Sequence, residues 1–292
     1  MSNWHTGNFY KGNNMIYINE VITSRSNPTV KLTSSLKDKK SREAEGLFIA
    51  EGEKLTFEAL SASLPIEKIF IAKSKRDRII DKLSNYNGVE KLSECRVYVL
   101  EDSVFEKIST ENAPQGVISV IKHLDFFYQS DIIYKEEFFK NLLGRAICLS
   151  SVRDPGNLGS AIRSAVAFGV EHIIMSSDCA DIYNPKTVRG AMGSLFRVKT
   201  TRVDDMCEFI SLARKSGRRV YTAELNSSAA ALGSFPLLST DIVIIGNEGH
   251  GVSEDVSKAA DGALYIPISS KTESLNASVA AAIFMWEQSK IN

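Results

Sequence analysis

Cysteine and histidine are scarce: four of each in 292 residues, with Cys95, Cys148, Cys179 and Cys207 widely scattered and no C-x-x-C pair. The cysteines are therefore expected to be reduced structural thiols, and no metal is expected. No run approaches the roughly 18 apolar residues of a membrane span, and the opening MSNWHTGNFYKGNN lacks the apolar segment of a secretory signal. No membrane association is expected, and the cytoplasm is the expected compartment. Lys and Arg number 35 against 35 Asp and Glu, so the chain as a whole makes no electrostatic argument for nucleic acid. Neither G-x-x-x-x-G-K-[ST] nor G-x-G-x-x-G occurs, which removes the phosphate loop and the dinucleotide fingerprint. Internal repeats are missing too.

What is present is uneven. Five basic residues (Lys31, Lys37, Lys39, Lys40, Arg42) stand against Asp38 alone, and a second group (Lys73, Lys75, Arg76, Arg78, Lys82) outnumbers Asp77 and Asp81. Both lie in the first third, as solvated helix faces or as a surface for an anionic partner. Residues 1–14 are polar, rich in Asn and Gly and without period, which predicts a disordered extension. Met15 is a candidate alternative start. NPTVKLTSSLKDKK opens with an Asn-Pro helix start, and short apolar runs (47–50, 66–72, 96–100, 116–121) then alternate with amphipathic ones. A small α/β domain over 15–122 follows, then a connecting segment containing a helix over 123–143, then a second domain over 144–292. There the candidate strands are 145–152, 172–177, 196–200, 219–225, 241–246 and 263–268, separated mostly by helical stretches. This pattern predicts a mostly parallel sheet covered on both faces, with ligands at its carboxyl edge.

Three loops carry candidate chemistry. In SVRDPGNLGSAIRSAVAFGV, Asp-Pro-Gly makes a turn, Asn157 is suited to cap the next helix, and Leu158, Ile162, Ala165 and Val166 form its apolar stripe beside Arg163. In IIGNEGHGVS, glycines 246, 249 and 251 permit tight backbone, while Glu248 with no lysine beside it would repel a triphosphate. That turn suits a neutral or cationic ligand, or a carboxylate set against an arginine. In YIPISSKTESLNASVAAAIFMWE, Ser274 and Asn276 precede a largely apolar helix and are good capping residues.

Taken together, Asn157-x-Gly159-x-x-x-Arg163, Gly246-Asn247-Glu248-Gly249-x-Gly251, and Ile266-Pro267 followed by Ser274-Leu275-Asn276-x-Ser278-Val279-Ala280 resemble the motifs of the SpoU (TrmH-like) RNA ribose 2′-O-methyltransferases, a branch of the SPOUT class. NPTVKLTSSLKDKKSREAEGLFIAEGEKLTFEAL and APQGVISV look like that family's substrate-binding domain, so the resemblance covers nearly everything after Met15. It implies an N-terminal α/β RNA-binding domain, a C-terminal SPOUT domain with a deep trefoil knot, S-adenosylmethionine as cofactor, and a homodimer. It also implies cofactor contacts from Ala223, Gly246, Ile266, Leu275 and Asn276. Arg163 is the implied activator of the ribose hydroxyl, with Asn157, Glu248, Ser274 and Asn276 around it. RNA contacts are implied for Lys31, Lys39, Lys40, Arg42 and Arg189. A guanidinium stays protonated, so stabilising a developing alkoxide suits Arg163 better than proton abstraction. The implied substrate is 23S ribosomal RNA, with transfer RNA as the alternative. The rivals are weaker. A Rossmann enzyme would need a glycine-rich turn after its first strand, base methylation would call for an Asn/Asp-Pro-Pro-Tyr motif or paired cysteines, and an inactive RNA-binding relative would not need all five polar site residues.

Overall fold

Runs of β-branched and aromatic residues form the strands, and from Ile22 to Val117 helices separate them. The computed structural model describes residues 8–11, 14–87, 92, 95–142, 144–247 and 249–290. In chain order it begins with β1 (Asn8–Lys11), β2 (Asn14–Ile22), α1 (Pro28–Ser35), α2 (Lys39–Glu45), β3 (Leu47–Glu51) and α3 (Glu53–Ser61). Then come β4 (Ile66–Ala72), α4 (Arg76–Ser84), β5 (Arg96–Leu100), α5 (Asp102–Ile108) and β6 (Val117–Lys122). These strands form one sheet in the order β1-β2-β5-β4-β6-β3, with β6 antiparallel to both neighbours. Its core gathers Val30, Leu36, Ile49, Phe70, Leu100 and Phe105 among others. Asn27 caps α1 as the Asn-Pro signal predicts, its side chain accepting from Thr29 N at 2.8 Å.

The extension predicted over 1–14 is partly ordered instead: Asn8–Lys11 pairs antiparallel with β2, Lys11 opposite Asn14. Phe9 and Tyr10 favour a strand, and the composition rule missed them because Asn and Gly surround them. Residues 1–7, 12 and 13 lie outside the described residues.

The remaining elements are β7 (Phe127–Tyr128), α6 (Glu136–Asn141), β8 (Arg145–Leu149), α7 (Pro155–Ala167), β9 (Val170–Ser176), α8 (Pro185–Ala191) and β10 (Lys199–Val203). They continue with α9 (Met206–Lys215), β11 (Val220–Ala223), β12 (Ala230–Ala231), β13 (Ile242–Ile245), α10 (Glu254–Ala259), β14 (Gly262–Tyr265) and α11 (Ala277–Ser289). The second sheet runs β12-β14-β11-β13-β8-β9-β10-β7, and every pairing in it is parallel. The segment read as a connector contributes its edge strand β7, and Ile133, Phe138 and Leu142 join its core.

Two compact units result, one of residues up to 124 together with 183–196, the other of 125–182 with 197 onward. The predicted strand at 196–200 begins three residues later. Phe196 turns away to join Phe48 in the first unit, ring centroids 6.4 Å apart, while Thr200, Thr201 and Val203 are buried in the second. Among the described residues no helix is long and apolar enough to cross a membrane.

Candidate active site

An all-parallel sheet sends every strand out through one edge. Ala223 stands in register with Ile245 and with Leu264, and Ile245 with Leu149, so β11, β13, β14 and β8 end side by side. Three of the predicted cofactor residues sit at those ends: Ala223 closes β11, Gly246 follows β13 and Ile266 follows β14. Beyond them Leu225 is 78% exposed and Ile268 40%. Two aliphatic side chains left in water at a carboxyl edge, beside the partly buried Ala223 and Ile266, fit a ligand with an apolar face.

The loop after β8 is bolted on three sides. Ser150 N donates to Ile245 O at 2.8 Å, and Ser151, held at a positive φ of 57°, donates its N–H to Ser176 Oγ at 2.8 Å. Ser151 Oγ and Arg153 Nη2 both donate to Asp178 Oδ2, at 2.7 and 2.8 Å, and Ser176 Oγ donates to Oδ1 at 2.6 Å. Burial pushes the Asp178 carboxyl up, but these hydrogen bonds and the charge of Arg153 outweigh it and bring the pKa down to about 2. Asn247 Nδ2 donates to Ser151 O at 2.9 Å and ties this loop to the glycine loop. Sequence reasoning missed Ser151, Asp178 and the role of Asn247, since residues so far apart give no local signal.

The next helix starts earlier than predicted. Asp154, not Asn157, caps α7: its Oδ1 accepts from Asn157 N at 2.9 Å, and Pro155 takes the first helical position. The Asp-Pro pair was the available signal. Leu158, Ile162 and Ala165 are buried as expected, while Arg163 is exposed, with no hydrogen bond or ion pair among the described residues. The Asn157 side chain has a partner on another element. Its Oδ1 accepts from Asn276 Nδ2 at 2.9 Å, and Asn276 caps α11 by accepting from Ser278 N at 2.9 Å. One amide thus joins the first turn of α7 to the start of α11. Ser274 is exposed and enters through its carbonyl, accepting from Thr272 Oγ1 at 3.3 Å. Leu275, partly buried, immediately precedes Asn276.

The glycine loop closes on itself. Asn247 and Gly251 exchange backbone hydrogen bonds of 3.0 and 2.9 Å, and Asn247 Oδ1 accepts from Gly249 N at 2.8 Å. A Cβ at position 246 would lie 2.3 Å from Gly251 C and 2.5 Å from Gly251 O and Val252 N. Gly246 is required by this closure, in keeping with the tight backbone expected of the glycines. Glu248 lies outside the described residues.

Of the residues expected to meet RNA, Lys31, Lys39 and Lys40 are exposed, and Lys39 pairs with Glu43 at 3.7 Å. Arg42 is a correction: it is 2% exposed, and its Nη1 donates to Leu36 O at 2.8 Å and Lys37 O at 2.7 Å. It satisfies carbonyls left open where α1 ends and cannot reach a partner in solution. Arg189 is 44% exposed in its side chain and pairs with Glu111 at 3.5 Å, both within the first unit.

Comparison with known proteins gives the chain its family. Residues 144–286 match the SpoU rRNA Methylase family, and residues 27–119 match the MRM3-like substrate binding domain. The chain is 29% identical, over 91% of its length and 97% of the relative's, to the 23S rRNA (guanosine(2553)-2′-O)-methyltransferase RlmP of Bacillus subtilis. It is 30% identical, over 79% of its length and 90% of the relative's, to a Staphylococcus aureus protein assigned to the TrmH family of tRNA/rRNA methyltransferases. Among solved structures, the AdoMet-bound rRNA methyltransferase of Sinorhizobium meliloti is similar with a TM-score of 0.75 and 28% identity, covering 93% of this chain and 97% of that one.

Proposed function

This chain belongs to the SpoU, or TrmH, family of RNA methyltransferases, and from that premise we propose that it methylates a ribose 2′-hydroxyl of 23S ribosomal RNA, with S-adenosylmethionine as methyl donor. The observation that carries the reading is the Asn157–Asn276 hydrogen bond, which joins the first and third motifs beside the carboxyl edge of the parallel sheet. When bound, S-adenosylmethionine supplies an electrophilic methyl carbon on a sulfonium. Ala223, Gly246, Ile266, Leu275 and Asn276 would hold it. Arg163, exposed and without a described partner, is free to meet the ribose. Being permanently protonated, it stabilises the oxyanion that develops on the 2′-oxygen, while the proton leaves to phosphate or water. Asn157, Ser274 and Glu248 complete the polar surround in this reading.

We extend the reading in four respects. The C-terminal unit is knotted as in its family, with α11 returning against α7. The enzyme is a homodimer in which Arg163 faces the cofactor of the partner subunit. Support comes from α11, where Val279 and Trp286 are 46% and 50% exposed and lie two turns apart on one face. Lys31, Lys39 and Lys40, from a substrate domain spanning 15–122, and Arg189, from the 183–196 segment that folds with it, contact RNA phosphates. The compartment is the cytoplasm.

The test is transfer of tritiated methyl from S-adenosylmethionine to 23S rRNA and, in parallel, to tRNA, with wild type and Arg163→Ala. Alkali-resistant label in 23S rRNA, reduced about 100-fold or more in the variant, is expected for loss of an oxyanion-stabilising group. Label in tRNA alone would overturn the substrate, and cofactor binding without transfer to any RNA would leave an inactive RNA-binding relative.

A further inference from the structure

We propose that loop 110–115 of the first unit reads the RNA target, with Asn112 contacting the edge of an unpaired base; this rests on the RNA substrate proposed above. The loop is pinned at both ends by groups that have no part in methyl transfer. At its start, Glu51 at the end of β3 is 8% exposed, and its carboxylate accepts from Ser109 Oγ, from Thr110 N at 2.6 Å and from Thr110 Oγ1 at 2.6 Å. A nearly buried carboxylate is costly unless fully hydrogen-bonded, and here the donors are Ser109 and Thr110, the residues that lead into the loop. Ser109 Oγ also accepts from Glu111 N at 3.1 Å. At the far end, Gln115 Oε1 accepts from Glu53 N at 3.0 Å, and Gln115 O accepts from Arg78 Nη2 at 3.0 Å. Gly116 follows at φ 92°, where a Cβ would lie 2.6 Å from Lys75 Cγ, so no larger residue fits that exit.

Between the anchors, Asn112 and Ala113 are exposed, and the Asn112 amide has no hydrogen bond among the described residues. An amide offers one acceptor and two donors, the pattern that pairs with a base edge. Two guanidinium groups flank it. Arg189 lies against Glu111 at 3.5 Å, and Arg78, 49% exposed in its side chain, bridges Glu53 and the Gln115 carbonyl. Glu111 to Gln115 can span at most about 14 Å, so both cations stand within a few nucleotides' reach of Asn112. Arginines that grip phosphates on either side of a free amide suit single-stranded RNA, whose bases are splayed out and read on their edges. Fixing the loop in advance reduces the ordering penalty on binding. Glu51 is a positioning residue in this scheme, and Asn112 determines specificity.

The experiment uses the full chain and in vitro transcribed 23S rRNA, measuring RNA Kd by filter binding together with kcat, KM for RNA and S-adenosylmethionine affinity. Asn112→Ala is expected to raise Kd and KM for RNA about tenfold, as loss of a bidentate base contact does, with kcat within about twofold and cofactor affinity unchanged. Asn112→Gln, which keeps the amide, should recover part of the loss. Glu51→Gln should also raise KM without moving cofactor affinity; because it can unfold the unit, Asn112→Ala remains the deciding variant. RNA Kd and KM equal to wild type in Asn112→Ala would overturn the proposal. Should wild type transfer no methyl group, the catalytic reading falls while the ratio of RNA Kd values still judges the loop. Absence of RNA binding by wild type overturns both.

Discussion

Asn276 performs two tasks with one side chain, and its two amide atoms allow them to be separated. Its Oδ1 caps α11, and its Nδ2 reaches Asn157 at 2.9 Å. Serine is as good a cap as asparagine but too short to bridge to α7. Asn276→Ser should therefore keep thermal stability within a few tenths of a kcal/mol, while kcat/KM for methyl transfer falls about tenfold or more. Asn276→Ala should lose both, with the cap worth about 1 kcal/mol. Equal activity of Asn276→Ser and wild type would mean that the bond to Asn157 is incidental. The contrast with Arg42 shows where residue-scale reading stops. Asn276 is recognisable as a cap because its partner is two residues away, whereas Arg42 is buried by carbonyls at Leu36 and Lys37 that only the turn after α1 brings to it. Charge in a basic cluster argues for exposure by default, and only the fold overturns that default.

Among the elements, adjacent strands β9 and β10 share a buried polar contact with a pH consequence. His172 on β9 is 5% exposed, and its Nε2 lies 2.6 Å from Thr201 Oγ1 on β10. Burial above all, then the charges of Lys199 and Arg218, lowers its pKa to about 4 from the ordinary 6.5. The folded chain thus refuses a proton that the unfolded chain accepts between those values. Stability from the neutral ring is complete above about pH 6.5 and drains away as pH falls toward 4, by about 3 kcal/mol in all. Urea unfolding at pH 7.5 and 4.5 should show this loss in wild type and a shallower one in His172→Gln, which cannot titrate. Parallel losses in the two proteins would assign the acid sensitivity elsewhere. Element boundaries follow the same division between near and far. The Asn27-Pro28 start of α1 and the runs at 66–72 and 96–100 are local signals that the structure reproduces as α1, β4 and β5. The start of α7 was misplaced by three residues because two capping candidates, Asp154 and Asn157, compete within one turn, and Pro155 decides for the first.

At the scale of the whole chain, the α/β class, the parallel second sheet and the order of the three motifs were legible, because each rests on patterns a few residues long. The destination of residues 183–196 was not, since it depends on contacts made with residues distant in sequence, from His123 and Leu124 back to Phe48. This stretch lies between β9 and β10 of the second unit, yet it folds with the first. Tyr183 stacks on Phe48 with centroids 4.7 Å apart and on His123 at 4.2 Å, and its hydroxyl accepts from Leu124 N at 2.8 Å. The first unit's core is therefore completed by a segment encoded inside the second, and it follows that a fragment ending at 124 lacks part of its own packing. Tyr183→Ala should cost the first unit about 3 kcal/mol, the usual result of emptying an aromatic site. Tyr183→Phe keeps the stack and forfeits only the acceptor, for about 1 kcal/mol. Both should leave S-adenosylmethionine affinity unchanged at temperatures where the first unit remains folded, because no residue assigned to the cofactor belongs to that unit. Denaturant unfolding followed alongside cofactor binding checks the scheme: a Tyr183→Ala protein as stable as wild type would show that 183–196 merely rests on the first unit without completing its core.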